Sequence, residues 1–315
     1  MTIRFIDEAT VAQLLTPAVL RDLMRRTLAA GARGDAQGPT RSVLATAQGW
    51  FGAMPATVTL DDLAGLGAKL VSFFPKNAAL GLPTHQAAIA MFDPLTGAFE
   101  GLVDGETITE RRTAAVSVVA TERLAARPKG TLAILGAGVQ GFAHFEAFLD
   151  AGLVTNVRVW SQTLANAERL ATRVREAGLS AVVAADAPAA VRGADVVVTA
   201  TSASEPLFAA GDIADGAHVN AVGACVPSRR ELPAMLLAEA NAYADSSDAA
   251  WIESGDLLLA AAELGRERVT IAAELGAMLA DPALRHAPRR VTIFESLGLG
   301  IEDVACAAYV LAKAP

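Results

Sequence analysis

Between residues 40 and 103 the hydrophobic positions fall into short runs: TRSVLATA, ATVTL, AKLVSFF, HQAAIAMF and AFEGLVD. Glycine, proline and aspartate separate these runs, which is typical of β-strands joined by tight turns. One turn has a clear physical basis: in Asp93-Pro94-Leu95-Thr96-Gly97, proline presets φ and glycine supplies a positive φ. The pattern therefore predicts a mostly antiparallel sheet.

Helices are predicted on both sides of this region. Asp7 and Thr16-Pro17 have the features of helix starts. Thr109 is expected to cap a helix that ends before the Pro128-Lys129-Gly130 break, which would place Arg111 and Arg112 in its first turn. Near the end of the chain, the apolar segment IEDVACAAYVLAKA predicts a helix that packs back on the sheet-forming domain.

From residue 131 the pattern changes to strands that alternate with helices. The predicted strands are TLAILG, VRVWS, VVAAD, DVVVTAT and HVNAVG, followed later by VTIF at 291–294. The segment LANAERLATRVREAG has the pattern of a helix between two of them. Alternation of this kind predicts a parallel sheet with helices on both faces.

A glycine motif lies directly after the first of these strands, in the spacing Gly136-x-Gly138-x-x-Gly141. The first glycine permits a tight turn, the second lets the backbone approach a pyrophosphate, and the third allows close helix–strand packing. Amides at the start of the next helix, including those of Val139 and Gln140, can bind the anion. The strand–glycine turn–helix context predicts a dinucleotide cofactor.

The motif defines the domain organisation that we expect. The fold class is α/β, with a Rossmann dinucleotide-binding domain at 119–292 inserted into a mixed α+β domain. That second domain comprises 1–118 and is completed by 293–315. Thr201, Val222 and Gly223 are the last residues of two later predicted strands and are included in the expected cofactor site.

The choice of cofactor depends on the residues that end the second strand. NAD sites usually carry an acidic residue about 20 positions after the motif, which binds the ribose 2′-hydroxyl. Here that place is held by Trp160, Ser161, Gln162 and Thr163, without an acid. Hydroxyl and amide groups can donate to a 2′-phosphate, so the sequence favours NADP(H) and leaves NAD(H) open. Alternatively, Ser161 and Thr163 cap the following helix.

Composition narrows the class of protein. The chain of 315 residues is 53% hydrophobic and 19% charged, which fits a folded protein and excludes disorder. Its net charge is −8 and it has no long run of basic residues, so the sequence gives no indication that it binds DNA or RNA. The two cysteines are too few for a disulfide framework, and the four histidines show no metal-ligand spacing. A signal-peptide pattern and an apolar stretch of bilayer length are both absent. We expect a cytoplasmic protein without a metal.

Several cations have the chemistry to bind an anionic substrate. Arg111 and Arg112 would oppose the helix dipole in a first turn, by about 0.3–1 kcal/mol each when exposed. Lys69 lies in the apolar run GAKLVSFF, where a half-buried lysine requires an anionic partner, and Arg41 begins another strand. Each residue alone is equally well explained as a solvated surface charge. Only convergence in space would make a carboxylate-binding site.

The chain resembles the ornithine cyclodeaminase/mu-crystallin family over nearly its whole length. The resemblance is carried by KLVSFFPKNAALGLPTHQ, FDPLTGAFEGLVDGETITERRTAAVS, LAILGAGVQGFAHFEAF, TATSASEPLF, VNAVGACVPSRREL and FESLGLGIEDVACAAYV. It implies a Rossmann domain with a substrate and dimerisation domain, and therefore a homodimer. It also implies that Arg41, Lys69 and Arg112 bind the substrate carboxylate, and that His85 lies near the nicotinamide. Without the resemblance, His85 is better explained as a hydrogen-bonded loop residue.

Departures from the family pattern bear on the activity. Ornithine cyclodeaminases resemble one another in a Glu two residues before Met-Pro and in an Asp after a later glycine; this chain has Gly52 and Ala224 there. Ser228 stands where the mu-crystallin-like branch often has Asp. We therefore expect NAD(P)H-dependent reduction of a ketimine acid, most simply Δ1-pyrroline-2-carboxylate to proline, with Lys69 as candidate proton donor. The alternatives are ornithine cyclodeamination with bound NAD, and a non-catalytic protein that binds NADPH and a ligand.

Overall fold

The computed structural model describes residues 3–314. Their α-helices and β-strands, in chain order, are β1 (Arg4–Ile6), α1 (Glu8–Leu14), α2 (Pro17–Arg33), β2 (Ala36–Gln37), β3 (Ser42–Ala45), β4 (Trp50–Leu60), β5 (Leu63–Phe73), β6 (His85–Phe92), β7 (Phe99–Asp104), α3 (Glu106–Leu124), β8 (Gly130–Leu135), α4 (Val139–Asp150), β9 (Val154–Trp160), α5 (Leu164–Glu176), β10 (Ser180–Val183), α6 (Ala187–Val191), β11 (Val196–Thr199), β12 (His218–Ala221), α7 (Ala234–Glu239), β13 (Ala240–Ala244), α8 (Ser247–Glu253), α9 (Gly255–Leu264), β14 (Ile271–Glu274), α10 (Leu275–Ala280), β15 (Val291–Glu295) and α11 (Gly300–Lys313).

The chain divides into two compact units, and each is described by itself. Unit 1 comprises Met1–Arg112 with Gly298–Pro315, and unit 2 comprises Thr113–Leu297. The sequence-based boundaries at 118/119 and 292/293 lie five or six residues from these divisions, and the second of them falls inside β15. No helix among residues 3–314 has both the length and the apolar character needed to cross a membrane.

Unit 1 is built on a seven-stranded sheet of order β1-β7-β6-β5-β4-β2, with β3 also paired to β4. Among the strands that the structure describes in unit 1, only β1 and β7 pair in parallel, so the prediction of a mostly antiparallel sheet is confirmed. One face buries Met54, Val58 and Val71 beneath α2 and α11. The apolar C-terminal helix therefore packs back on the first domain, as predicted.

The opposite face of this sheet has no covering helix within the described part of unit 1. Leu44 on β3 is level with Phe51 on β4, and Leu70 on β5 is level with Ala53. Leu44, Phe51 and Leu70 are 67%, 42% and 36% exposed. Because side chains alternate between the two faces of a strand, this exposed apolar face is the one opposite Lys69 and Val71.

Unit 2 contains an eight-stranded, wholly parallel sheet of order β10-β9-β8-β11-β12-β15-β13-β14. Two buried hydrophobic clusters pack against it, one including Phe145 and Phe148 and the other Leu236 and Leu257. The neighbouring pair β8 and β11 forms the point where strand order reverses, which is where ligands bind in doubly wound sheets. The predicted α/β class is confirmed.

Some local predictions are wrong. Helix α3 begins at Glu106 rather than near Thr109, because the side chain of Asp104 accepts a hydrogen bond from the Glu106 amide at 3.1 Å. The Thr109 hydroxyl instead donates to the Gly105 carbonyl at 2.7 Å from within the helix. Arg111 and Arg112 therefore both lie in the second turn of α3, where the helix-dipole argument does not apply.

The pattern also missed two strands of unit 2 and displaced a third. The alanine-rich β13 and β14 carry no clear alternation, and the strand predicted at 182–186 lies at Ser180–Val183. Its last predicted residue, Asp186, is the N-cap of α6 and accepts from the Ala189 amide at 2.7 Å. A short polar side chain that bonds nearby amides ends extended structure.

Candidate functional site

Lys69 is a buried lysine in the middle of the unit 1 sheet. Its strand β5 lies between Met54 of β4 and Ile89 of β6, and the residue is only 2% exposed. The Nζ atom lies 2.7 Å from Oδ2 of Asp303 in the first turn of α11. Burial lowers the pKa of Lys69 to about 8, although the charge of Asp303 acts in the opposite direction.

Arg112 converges on the same carboxylates from α3. Its Nε donates to Asp303 Oδ1 at 3.1 Å, and its Nη1 donates to Glu302 Oε2 at 2.8 Å. Asp303 therefore binds both cations. Burial opposes ionisation of Asp303, but the charges of Arg112 and Lys69 outweigh it and lower the pKa of this carboxyl.

Gly298 joins Arg41 to this group. Its carbonyl accepts from Arg41 Nη2 at 3.3 Å, while a Cβ at this position would lie 2.5 Å from Nη1 of Arg112. Its φ of +80° also disfavours a side chain. The charge of Arg41 contributes to lowering the pKa of Lys69, so the three cations are within electrostatic range of one another. With Lys69 protonated, the three cations, Glu302 and Asp303 sum to one positive charge.

The carboxylates Glu302 and Asp303 were missed by the sequence reasoning. A signal was available, because GIEDVACAAYV places two adjacent acids in an otherwise apolar helix. Buried carboxylates of this kind require cationic or hydrogen-bonding partners. Both residues are fully buried and bind Arg112, and Asp303 also binds Lys69.

His85 is the first residue of β6 and lies on the same face of the sheet as Lys69. It is level with Phe73, whose ring centroid is 4.5 Å away, and Phe73 in turn contacts Trp50 at 5.8 Å. Much of His85 remains accessible, yet the surrounding protein removes part of its hydration and lowers the pKa of the ring. The charge of Lys69 lowers it further, so His85 is chiefly neutral at neutral pH.

Gly52 occupies a crowded position on this face. A Cβ there would lie 3.2 Å from Cζ3 of Trp50 and 3.3 Å from Cγ1 of Val71. A side chain at position 52 would therefore require Trp50 and Val71 to shift by a few tenths of an ångström.

The glycine motif of unit 2 has the geometry that a dinucleotide requires. Gly136 has a φ of +104°, and a Cβ there would lie 2.3 Å from the Ala200 carbonyl oxygen. A Cβ on Gly141 would lie 2.1 Å from the Gly136 oxygen. A Cβ on Gly138, by contrast, would enter open space at the start of α4, where the amides of Val139 and Gln140 lie. The turn can thus accept a pyrophosphate close to its backbone.

The end of β9 supplies the polar side chains expected near the cofactor ribose. Thr163 is the N-cap residue of α5, yet within the described chain its side chain makes no capping hydrogen bond. Ser161 is partly exposed, and Gln162 and Thr163 are exposed. Helix capping therefore does not account for the Thr163 hydroxyl.

The remaining expected cofactor residues lie at the ends of β11 and β12. The amides of Thr201 and Gly223 both donate to the carboxylate of Glu231, at 2.6 and 2.8 Å. Val222 is buried and its amide donates to the Thr199 carbonyl at 2.9 Å. Ala224 is buried as well, whereas Ser228 is exposed.

The chain is similar to known proteins over almost its full length. The model of the ornithine cyclodeaminase/mu-crystallin family matches residues 4–315. The ketimine reductase mu-crystallin of Mus musculus is 39% identical over 282 residues, which cover 89% of this chain and 86% of that protein. These findings confirm the resemblance seen in the sequence.

Two solved structures are similar in fold as well as in sequence. The Δ1-pyrroline-2-carboxylate reductase of Thermococcus litoralis, in complex with NADH and L-proline, matches with a TM-score of 0.91 and 30% identity. The match covers 98% of this chain and 97% of that one. An archaeal alanine dehydrogenase dimer with bound NAD matches with a TM-score of 0.91 and 29% identity, covering 100% and 96% of the two chains.

Proposed function

Since the chain belongs to the ornithine cyclodeaminase/mu-crystallin family, we propose that it is an NAD(P)H-dependent reductase of ketimine acids. Its leading substrate is Δ1-pyrroline-2-carboxylate, reduced to proline. The observation that carries the proposal is the convergence of Lys69 and Arg112 on the carboxylates of α11, with Arg41 bound to the Gly298 carbonyl and within electrostatic range of Lys69. The reductase and the proline complex among the similar proteins support it.

The side chains of unit 1 bind and orient the substrate in this proposal. Arg41, Lys69 and Arg112 hold the carboxylate, and orientation of this kind lowers a barrier by up to about 7–11 kcal/mol in favourable cases. Lys69, with its pKa lowered to about 8, can transfer a proton to the imine nitrogen near neutral pH. His85, chiefly neutral, is the second candidate for proton transfer. When bound, the reduced nicotinamide supplies the hydride.

The proposal is tested with the purified protein, a panel of cyclic and linear imino acids, and NADH or NADPH in turn. Steady cofactor oxidation with formation of the amino acid supports the reductase. Tight cofactor binding without turnover of any imine would instead indicate a ligand-binding protein.

The cofactor that we propose is NADP(H) in preference to NAD(H), with Gly136, Gly138 and Gly141 at the pyrophosphate. Ser161→Asp is expected to weaken NADPH binding and favour NADH, because a carboxylate repels the 2′-phosphate. The ratio of the two Kd values should move by more than about tenfold, or about 1.4 kcal/mol. Ser161→Ala controls for loss of the hydroxyl alone. A wild-type preference for NADH would show that the end of β9 was misinterpreted.

We propose a homodimer formed through the exposed face of the unit 1 sheet, because an apolar face of this width is costly to leave in water. The similar alanine dehydrogenase is a dimer. Phe51→Asp with Leu70→Glu should yield a monomer in sedimentation or light scattering. Leu95→Asp is the matched control, since Leu95 is 93% exposed in the turn after β6. A wild-type monomer at micromolar concentration would contradict the proposal.

The value of kcat/KM should fall as the pH rises through about 8. Lys69 is charged below its lowered pKa of about 8 and neutral above it, so substrate binding and proton donation are both lost on the alkaline side. Lys69→Arg, which stays charged, should retain binding of the carboxylate and lose this alkaline decline.

Asp303 provides a second check of the same assignment. The charge of Asp303 raises the pKa of Lys69, so Asp303→Asn should move the alkaline decline to lower pH. Asp62→Asn removes one carboxylate from a surface pair with Arg26 and should leave the profile in place. A decline that stays fixed in Asp303→Asn would mean that another group titrates.

A further inference from the structure

Glu231 is a buried carboxylate that joins two separate loops of unit 2. Its Oε1 accepts from the Thr201 amide at 2.6 Å, and its Oε2 accepts from the Gly223 amide at 2.8 Å. Thr201 lies in the loop after β11 and Gly223 in the loop after β12. The residue is fully buried, so solvent does not compete for these hydrogen bonds.

Glu231 is tightly packed against Gly223 and Thr201 of the two loops. A Cβ on Gly223 would lie 2.6 Å from Glu231 Oε2 and 2.3 Å from the Thr201 oxygen. Backbone hydrogen bonds run alongside, from Arg230 N to the Ala203 oxygen at 3.0 Å and from Leu207 N to the Glu231 oxygen at 2.9 Å. The backbone hydrogen bonds connect residues 230 and 231 to the loop after β11, and the carboxylate of Glu231 connects this loop to the loop after β12 as well.

The side chain of Asp256 binds the backbone of Glu231. Its Oδ1 accepts from the amides of Glu231 and Leu232, both at 2.8 Å, and it lies in the first turn of α9. The N-cap of that helix, Ser254, donates to Glu295 Oε2 at 2.9 Å. Three buried carboxyl groups are thus connected from the start of α9 to the two loops.

Burial raises the pKa of Glu231, and the hydrogen bonds from Thr201 and Gly223 act in the opposite direction. Burial and the charge of Glu231 raise the pKa of Asp256 to about 7, and burial with the charge of Asp256 raises the pKa of Glu295. Arg230 acts in the opposite direction on Asp256, while its guanidinium binds Glu263. Since both oxygens of Glu231 accept from N–H groups, its anionic form fits the junction.

The two loops lie where a doubly wound sheet receives a dinucleotide. Ligands bind at the carboxyl ends of the strands, and the two halves of such a sheet each take one mononucleotide. The loop after β11 also contacts the glycine turn, because a Cβ on Gly136 would lie 3.2 Å from Cγ2 of Thr201. A shift of either loop would therefore displace the surface that faces the cofactor.

We propose that Glu231 is a positioning residue that holds the Thr201 and Gly223 loops in the conformation that receives the nicotinamide mononucleotide half of the cofactor, with Asp256 fixing Glu231 in place. The inference rests on the dinucleotide binding proposed above. It assigns Glu231 no contact with the reacting atoms.

The test uses Glu231→Gln in the full chain. The amide nitrogen of Gln presents hydrogens to one of the two N–H donors, so one hydrogen bond becomes a repulsive contact. The Kd for the preferred cofactor, measured by calorimetry, should rise by about tenfold or more, equivalent to about 1.4 kcal/mol. In the cofactor-free protein, amide hydrogen exchange at Thr201 and Gly223 should accelerate. Glu205→Gln, an exposed acid in the loop after β11, is the matched control and should change neither quantity.

A second variant covers the case in which Glu231→Gln does not fold. Glu231→Asp keeps the charge but is one methylene shorter, so it can reach only one of the two amides, and a similar rise in Kd is expected. A folded variant with wild-type Kd and wild-type exchange would overturn the inference, as would failure of both variants to fold. If the wild type binds neither NADH nor NADPH, it is the proposed function that fails.

Discussion

The protein is expected to reduce Δ1-pyrroline-2-carboxylate and to release ammonia from ornithine at least about a hundredfold more slowly, since general acid–base catalysis contributes factors of this size. The distal amine of ornithine is cationic at neutral pH and must be held and deprotonated before it can attack an imine. This requires a carboxylate nearby. The positions that supply one in the cyclodeaminase pattern are Gly52 and Ala224.

The structure strengthens this expectation at both positions. A side chain at position 52 would be in tight contact with Trp50 and Val71, and Ala224 is buried. Glu231 is the acidic residue nearest to Ala224 in the sequence. Its carboxylate accepts hydrogen bonds from the amides of Thr201 and Gly223, so it is not available as a base. Cofactor oxidation with the imine is compared with ammonia and proline formed from ornithine by the same preparation. Comparable rates would overturn the expectation that this protein does not act as an ornithine cyclodeaminase.

Arg112→Lys is expected to lower kcat/KM for the imine by about 10–100-fold, corresponding to about 1.5–3 kcal/mol for a lost charge-assisted hydrogen bond. The guanidinium binds Glu302 and Asp303 with two different nitrogens, and a lysine cannot reproduce this planar arrangement. Most of the effect should appear in KM if Arg112 binds the carboxylate equally in the ground state and the transition state.

Arg111→Lys is the matched control for this substitution. Arg111 is the neighbouring arginine, but its Nη1 donates to the backbone carbonyls of Ala12 and Leu15. Steady-state kinetics should therefore change little in this variant. Arg112→Met, which leaves both carboxylates without the arginine, should lower the free energy of unfolding by about 3–5 kcal/mol. Equal kinetic effects of Arg111→Lys and Arg112→Lys would show that the site was assigned to the wrong arginine.

Much of the fold could be predicted because its signals are local. The apolar runs of 40–103 and the strand–helix alternation after 131 depend on side-chain periodicity within a few residues. The turn at Asp93–Gly97 is formed as expected: the Asp93 side chain accepts from the amides of Leu95 and Thr96, and Gly97 has a φ of +70°. Asp7 and Thr16 are helix caps for the same reason.

Other local features were mispredicted where two nearby signals compete. Thr109 is a good cap residue, yet Asp104 starts α3 five residues earlier. Arg112 therefore does not lie in the first turn, where it was expected to oppose the helix dipole. It does lie among buried charges. Strands β13 and β14 were not predicted because β13 is buried on both faces and β14 is partly buried along its whole length, so neither alanine-rich segment shows an alternation.

The fold class, the family, the glycine turn and the residue types at the site could all be predicted from the sequence, because each depends on residues that are close together along the chain. Which charged side chains form ion pairs and hydrogen bonds could be seen only in the tertiary structure. Arg112 and Asp303 are 191 positions apart, and Glu231 reaches Thr201 from 30 positions away. Electrostatic partners are set by distance in space, and a single sequence contains no measure of that distance. Burial then gives those contacts their effect on pKa, as the lowered value of Lys69 shows.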